Sequence, residues 1–191
     1  MKKIWFLILV LIGISVFGSW VILTESYPVV LVNFKIIGAG DFSRNYASSL
    51  FYYKNAAKVY GKENSDLFDA EEVRQEIKRA LISSLIENVL INEELNKEIN
   101  SLDLEKMIDE KIEKAVGEKE INRAAESIYG LSYDNFKTQM LIPQAKKEIL
   151  EEKTALKGEN FEEKMEELKS KAKVMIFLSG FEWDGKEVII K

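Results

Sequence analysis

Residues 29–61 of this 191-residue chain read VVLVNFKIIGAGDFSRNYASSLFYYKNAAKVYG. The β-branched opening of this stretch predicts a strand that reaches Gly38, because Val and Ile favour strands and Gly marks a turn. Asp41 or Ser43 then supplies the N-cap of a predicted helix that ends at Gly61. The stretch therefore predicts a strand that leads into an aromatic helix, and the rest of the chain is interpreted around it.

The predicted aromatic helix is apolar on more than one face. One set of apolar side chains recurs at steps of three and four, which is typical of a helix face that packs on a core. A second apolar set lies off that face, so it is either buried within the same domain or exposed to a partner. The first set is Phe42, Tyr46, Leu50, Tyr53, Ala57 and Tyr60, and the second is Phe51, Tyr52, Ala56 and Val59.

The composition indicates a globular, helix-rich chain and excludes several kinds of chemistry. Hydrophobic residues make up 47% and charged residues 31%, and the formal net charge is −5. An acidic body repels nucleic-acid phosphates, so nucleic-acid binding is not expected. The chain has no Cys and no His, which excludes disulfides, thiol nucleophiles, thiolate zinc sites and imidazole bases. No nucleophile-and-base set, phosphate loop or calcium loop is recognisable, so we expect no enzyme activity, no cofactor and no metal.

An uncharged apolar run of 20 residues, 4–23, predicts a transmembrane anchor. As a helix the run would span about 30 Å, the thickness of the hydrocarbon core. Lys2 and Lys3 precede the run, so the positive-inside rule places the N-terminus in the cytoplasm and the rest of the chain outside. A cleaved signal peptide with its site at residues 16–18 is the alternative, but the run is longer than a usual signal core.

Three segments follow from this interpretation. Residues 1–23 form a cytoplasmic tip and anchor, residues 24–28 a short linker, and residues 29–191 one extracytoplasmic domain. The protein is thus predicted to be a single-pass membrane protein with its domain close to the bilayer.

The middle of the chain predicts helices. The longest runs over residues 70–99, with Asp69 as its N-cap and no Gly or Pro inside it. Ser132 caps a later helix, in which Pro143 predicts a kink near Ile142. Inward-facing positions of the long helix are predicted to be Val73, Ile77, Leu81, Leu85, Val89 and Leu95, with Ala80, Ile86 and Leu90 widening that face.

Strands return at the end of the chain. Residues 172–178 are β-prone, and Asp184-Gly185 between apolar runs predicts a hairpin. Because an isolated strand leaves half of its backbone groups unpaired, we expect the first strand to pair with residues 173–178. The predicted fold class is therefore mainly α, with a small β element that joins the two ends of the domain.

Residues 30–42, VLVNFKIIGAGDF, are similar to an opening motif A-x-V-N-G-x-x-I-x-x-x-D-F, although Phe34 stands where that motif has Gly. The motif belongs to the SurA-like N-terminal domain, a periplasmic chaperone family, which this chain resembles. Residues 69–95 resemble its long helix, GLSYDNFKTQM at 130–140 a later helix start, and KSKAKVMIFLS at 169–179 its closing helix-to-strand segment. The resemblance covers about residues 29–179 and implies the helical chaperone core. The parvulin-type prolyl isomerase domain that many members carry, about 90 residues, has no counterpart in this chain.

The resemblance implies a membrane-anchored extracytoplasmic chaperone, or holdase, that binds unfolded or nascent exported polypeptides without isomerase activity. Apolar, adaptable side chains suit such sequence-tolerant binding. The alternative is a non-catalytic structural or adaptor subunit that docks one specific envelope protein, and the oligomeric state is left open. Candidate polypeptide contacts are Phe51, Tyr52 and Val59 on the aromatic helix, with Met107 and Met140 elsewhere, each of which is alternatively a core residue.

Overall fold

A computed structural model describes residues 27–59, 68–115 and 118–191 of the chain. It is mainly helical with small antiparallel sheets, which confirms the predicted class at that level. Among the described residues, no helix combines the length and the apolar character needed to cross a membrane. The predicted anchor and most of the predicted linker lie outside those residues.

The first strand differs from its prediction, because the run over residues 29–37 is a hairpin and not one strand. Strand β1 (Pro28–Val32) pairs antiparallel with β2 (Lys35–Gly38), and Val32 lies opposite Lys35. Asn33 has φ 55° in the two-residue loop, a backbone conformation that Asn adopts more readily than most residues. The loop places Phe34 at its tip with 89% of its surface exposed.

Helix α1 (Ala39–Val59) follows β2 directly. It begins earlier than predicted, so Asp41 and Ser43 lie in its first turns and neither is the N-cap. The backbone N–H of Ala39 donates to the carbonyl of Tyr27 at 2.9 Å, which fixes the helix start against β1. The predicted end at Gly61 lies outside the described residues.

Helix α2 (Glu71–Glu98) confirms the predicted long helix and is central to the fold. Its middle, residues 81–90, packs in the first core with the hairpin, and Ile91 and Leu95 pack in the second core with the later helices, so it belongs to two cores. Asp69 does not cap it, because its carboxylate binds the side chains of Arg74 and Lys54 instead. The buried set also differs from the predicted one: Ile82 and Ile91 are buried, Ala80 is exposed, and Leu81, Leu85 and Val89 are partly buried.

The later helices form two further cores. Helix α3 (Ser101–Ala115) contributes to the second core, and α4 (Glu118–Ala124) with a following π-helical turn (Ala125–Tyr129) to a third. Gly130 ends this segment with φ 66°, in the left-handed region. The second core contains Ile91, Leu95, Leu104, Ile108, Ile112, Ala145, Ile149, Leu150 and Met165, and the third contains Ile121, Ala125, Leu131 and Phe136.

The predicted kink at Pro143 takes the form of a π-helical turn. Ser132 caps α5 (Tyr133–Phe136), and the turn Lys137–Leu141 leads into α6 (Ile142–Leu156). Pro143 then lies in the first turn of α6, directly after the π-helical turn and without a break in the helical backbone. Asn160 caps α7 (Phe161–Lys171), because its side-chain oxygen accepts from the backbone N–H groups of Glu162 and Glu163.

The two ends of the domain are paired as predicted. Strand β3 (Val174–Ile176) adds antiparallel to β1, with Val30 opposite Ile176, so the sheet order is β2-β1-β3. The predicted hairpin is β4 (Phe181–Trp183) and β5 (Val188–Ile190). Phe181 and Val188 are buried in the first core with the inner face of the sheet and the middle of α2.

Candidate functional site

Three neighbouring cavities form one groove on the molecule. The largest has a volume of about 730 Å³ and lies between β2, the start of α1, the middle of α2 and the segment from α5 to α6. It shares Arg44, Asn135 and Gln139 with a cavity of about 310 Å³. It shares Asn92 and Lys146 with another of about 360 Å³. We call these three cavities together the groove.

One side of α2 supplies the floor of the groove. Leu85, Asn88, Val89, Asn92 and Asn96 follow at steps of three, one, three and four, so they lie along one face of this helix. Since apolar and amide side chains alternate along this face, it is neither a closed core face nor a charged solvent face. The helix therefore presents hydrogen-bonding groups between apolar contacts.

Carboxamides are the dominant polar groups of the groove. Each carries two N–H donors and one oxygen acceptor, which complement both the C=O and the N–H of a peptide bond. Within the described part of the chain, the side-chain amides of Asn88, Asn96 and Asn135 form no hydrogen bond, so they are available to a ligand. The carboxamides that line the groove are Asn45, Asn88, Asn92, Asn96, Asn135 and Gln139.

Apolar side chains line both ends and the strand side of the groove. Ile36 and Ile37 of β2 border the largest cavity, and β2 is an edge strand of its sheet. At one end the Phe51 ring lies over Gly130, with its nearest carbon 3.2 Å from the position that a Cβ would occupy there. Ile108 and Ile142 line the cavity at the other end. Apolar contact is therefore available along the whole groove.

Lys146 is the unusual charge in the groove. Its Nζ donates to Oδ1 of Asn92 at 2.7 Å, and no carboxylate among the described residues lies within 4 Å of it. Burial lowers the pKa of its ammonium group, because the charged form loses hydration there. Arg44, by contrast, is paired with Asp41. A half-buried cation without a carboxylate partner favours a ligand that brings one.

The sequence-predicted candidate residues are only partly brought together. Phe51 lines the groove and is 42% exposed. Tyr52, 37% exposed, stacks on Tyr129 with ring centroids 5.1 Å apart. Met107 is half-buried against the second core, and Met140 is half-buried against the third. The side chain of Val59 lies outside the described part of the structure.

Sequence reasoning did not identify the carboxamides. A signal was present, because Asn88, Asn92 and Asn96 recur every four residues on the predicted long helix. The partners across the groove, Asn135 and Gln139, lie about 40 residues away. Only the packing of α5 and α6 beside α2 brings the two sets to the same groove.

Comparison of the chain with protein-family models, curated proteins and solved structures gives no match. Among the described residues, no group of three or more carboxylates is arranged to hold a metal ion.

Proposed function

We propose that this chain is a membrane-anchored extracytoplasmic chaperone of the SurA-like kind, which holds extended segments of unfolded exported polypeptides in its groove. The observation that supports this proposal is the set of carboxamides that lie between apolar contacts along the groove, of which Asn88, Asn96 and Asn135 form no side-chain hydrogen bond within the described residues. A peptide backbone offers the same donors and acceptors whatever its sequence, so binding through it is sequence-tolerant. The chain itself contributes binding and no chemical step.

The free edge of β2 adds a second mode of backbone recognition. Lys35, Ile36 and Ile37 all border the largest cavity, and within residues 27–59, 68–115 and 118–191 the one strand that pairs with β2 is β1. An extended client can therefore pair with this edge while its apolar side chains contact Leu85 and Val89. Phe51 offers a larger apolar contact at the end of the groove.

Lys146 biases the groove toward segments that contain a carboxylate. The substitution Lys146→Met removes a half-buried cation and leaves a side chain of similar length. We expect unchanged or higher stability, since the ammonium group is poorly hydrated in the fold, together with weaker binding of an acidic peptide. Fluorescence anisotropy measures the affinity for a peptide that contains Asp and for the same peptide with Asn in its place. Equal losses for both peptides would contradict the assignment.

Suppression of aggregation tests the proposed function. The full chain, reconstituted in lipid nanodiscs, is expected to reduce light scattering by a thermally unfolded test protein. The double variant Asn88→Ala/Asn135→Ala should suppress less while melting at the same temperature, because neither amide is hydrogen-bonded in the fold. Gln144→Ala is the control, since it removes an exposed carboxamide outside the groove, whose Nε2 donates only to Glu148 on the same helix.

Two outcomes would contradict the proposal. One is suppression by the double variant that equals that of the unmodified chain. The other is co-purification with one envelope protein at fixed stoichiometry without any suppression of aggregation, as expected for the adaptor alternative.

A further inference from the structure

The outer face of the three-stranded sheet is apolar and exposed. Leu31 of β1 lies opposite Ile36 of β2 and Met175 of β3, so the three side chains share one face, away from the first core. Ile36 is 65% exposed and Met175 54%. Phe177 continues the outward alternation of β3 and is 53% exposed. We call this surface, with Tyr27 and Phe34 at its two ends, the outer sheet face.

The charge on this face is unlike that of the rest of the molecule. The segments 27–38 and 172–181 contain no acidic residue, although the chain has 32 of them. Their only charged residues are Lys35 and Lys173. The strands of this face carry apolar, aromatic and basic side chains and no carboxylate of their own, which is typical of a protein surface at a membrane–water boundary. One carboxylate of α2 lies beside its loop, where Glu93 accepts a hydrogen bond from Asn33 at 2.5 Å.

The position of this face in the chain identifies its occupant. The apolar run 4–23 ends four residues before Tyr27, and four extended residues reach at most about 14 Å. If the run spans the bilayer, Tyr27 must lie close to the headgroups. We propose that the outer sheet face lies against the bilayer surface and that the Phe34 tip and Phe177 insert among the lipids.

This arrangement orients the domain on the membrane. Because Ile36 also borders the groove, the groove opens beside the lipid surface. The proposal rests on the predicted anchor but not on client binding, so it can fail while the groove still binds polypeptide.

Lipid-dependent quenching of single labelled cysteines tests this placement. The chain has no Cys, so Phe34→Cys, Met175→Cys and Phe177→Cys each give one labelling site for an environment-sensitive fluorophore. The labelled full chain is inserted into phosphatidylcholine vesicles with nitroxide groups near the headgroups. We expect a blue shift and loss of fluorescence at these three sites. The control Leu156→Cys, at a position 88% exposed on the end of α6, should show neither.

Trp20→Cys, in the predicted span, reports insertion of the anchor in the same vesicles. Quenching at Trp20→Cys without quenching at the outer sheet face overturns the proposal. A blue shift at that face without lipid quenching also overturns it, because a protein surface would then be the occupant. Absence of quenching at Trp20→Cys overturns both the anchor and the proposal.

Discussion

Gly130 occupies a position where the backbone conformation favours Gly and where a Cβ would lie tightly against a neighbouring ring. Its φ is 66°, and the Phe51 ring lies over it at one end of the groove. Gly158 has a similar φ of 74° but open space around the position of a Cβ. A comparison of substitutions at these two glycines therefore distinguishes the cost of backbone strain from the cost of crowding by a neighbouring side chain.

We expect Gly130→Ala to destabilise the chain more than Gly158→Ala. Both substitutions place a Cβ in the left-handed region, which costs about 1–2 kcal/mol. Only Gly130→Ala also forces the Phe51 ring to move, because its Cβ would lie 3.2 Å from a ring carbon. Urea unfolding followed by circular dichroism measures the difference. Equal losses would show that the ring is not packed there.

Glu94 is a buried carboxylate, 8% exposed, that joins α2 to α7. Burial alone would raise its pKa, but the ammonium groups of Lys164 at 2.7 Å and Lys97 at 2.6 Å lower the pKa overall. Because the folded state holds this carboxyl deprotonated, its contribution to stability is present above its usual pKa of 4.5. That contribution is lost as the pH falls through the lowered value.

The variant Glu94→Gln tests this contribution. At neutral pH we expect it to lose about 1.5–3 kcal/mol, the range for hydrogen bonds to charged groups. The difference from the unmodified chain should shrink as the pH falls below 4.5. Chemical unfolding at a series of pH values measures it, and a difference that does not change with pH would exclude ionised Glu94 as the cause.

At the scale of the elements, β1 joins the two ends of the domain. It pairs with β2 immediately after it and with β3, which follows about 140 residues later. In the pairing of β1 with β3, Leu31 lies directly opposite Met175. Directly opposite residues are close enough for a disulfide, whereas a residue two positions further along is not.

We therefore expect the double variant Leu31→Cys/Met175→Cys to form a disulfide under mild oxidation. A cross-link that closes so long a loop should raise stability by about 3–5 kcal/mol. Leu31→Cys/Phe177→Cys is the matched control, since its cysteines are diagonal across the same two strands. Mass spectrometry and thermal melts measure both. Absence of the cross-link, or equal cross-linking in the control, would contradict the register in which β1 pairs with β3.

Several elements were predictable because each depends on a local signal. The long helix, the helix start at Ser132 and the hairpin at Asp184-Gly185 belong to this group. The first hairpin was missed because Phe34 replaces the Gly that usually marks a two-residue loop. The π-helical turns were also missed, since they depend on how Pro143 and the third core are accommodated.

At the scale of the whole molecule, α2 connects the sheet to the helical half. Residues 81–90 of α2 pack with the two hairpins, Ile91 and Leu95 pack with α3, α6 and α7, and the groove runs along the remaining face of the helix. Phe51 was a candidate from sequence because it lies off the inner face of its helix. The carboxamides could not be assigned in that way, because their function depends on which helices pack beside α2.

The central claim is that an unfolded polypeptide occupies the groove, and site-specific photo-crosslinking tests it most directly. A benzophenone amino acid replaces Asn88 or Asn135 within the groove, or Gln144 outside it, in the full chain in nanodiscs. We expect covalent capture of a chemically unfolded client at positions 88 and 135 and not at position 144. The same client in its folded form should be captured at none of them. Capture at position 144 equal to that at 88 and 135, or no capture in the groove, would contradict the account.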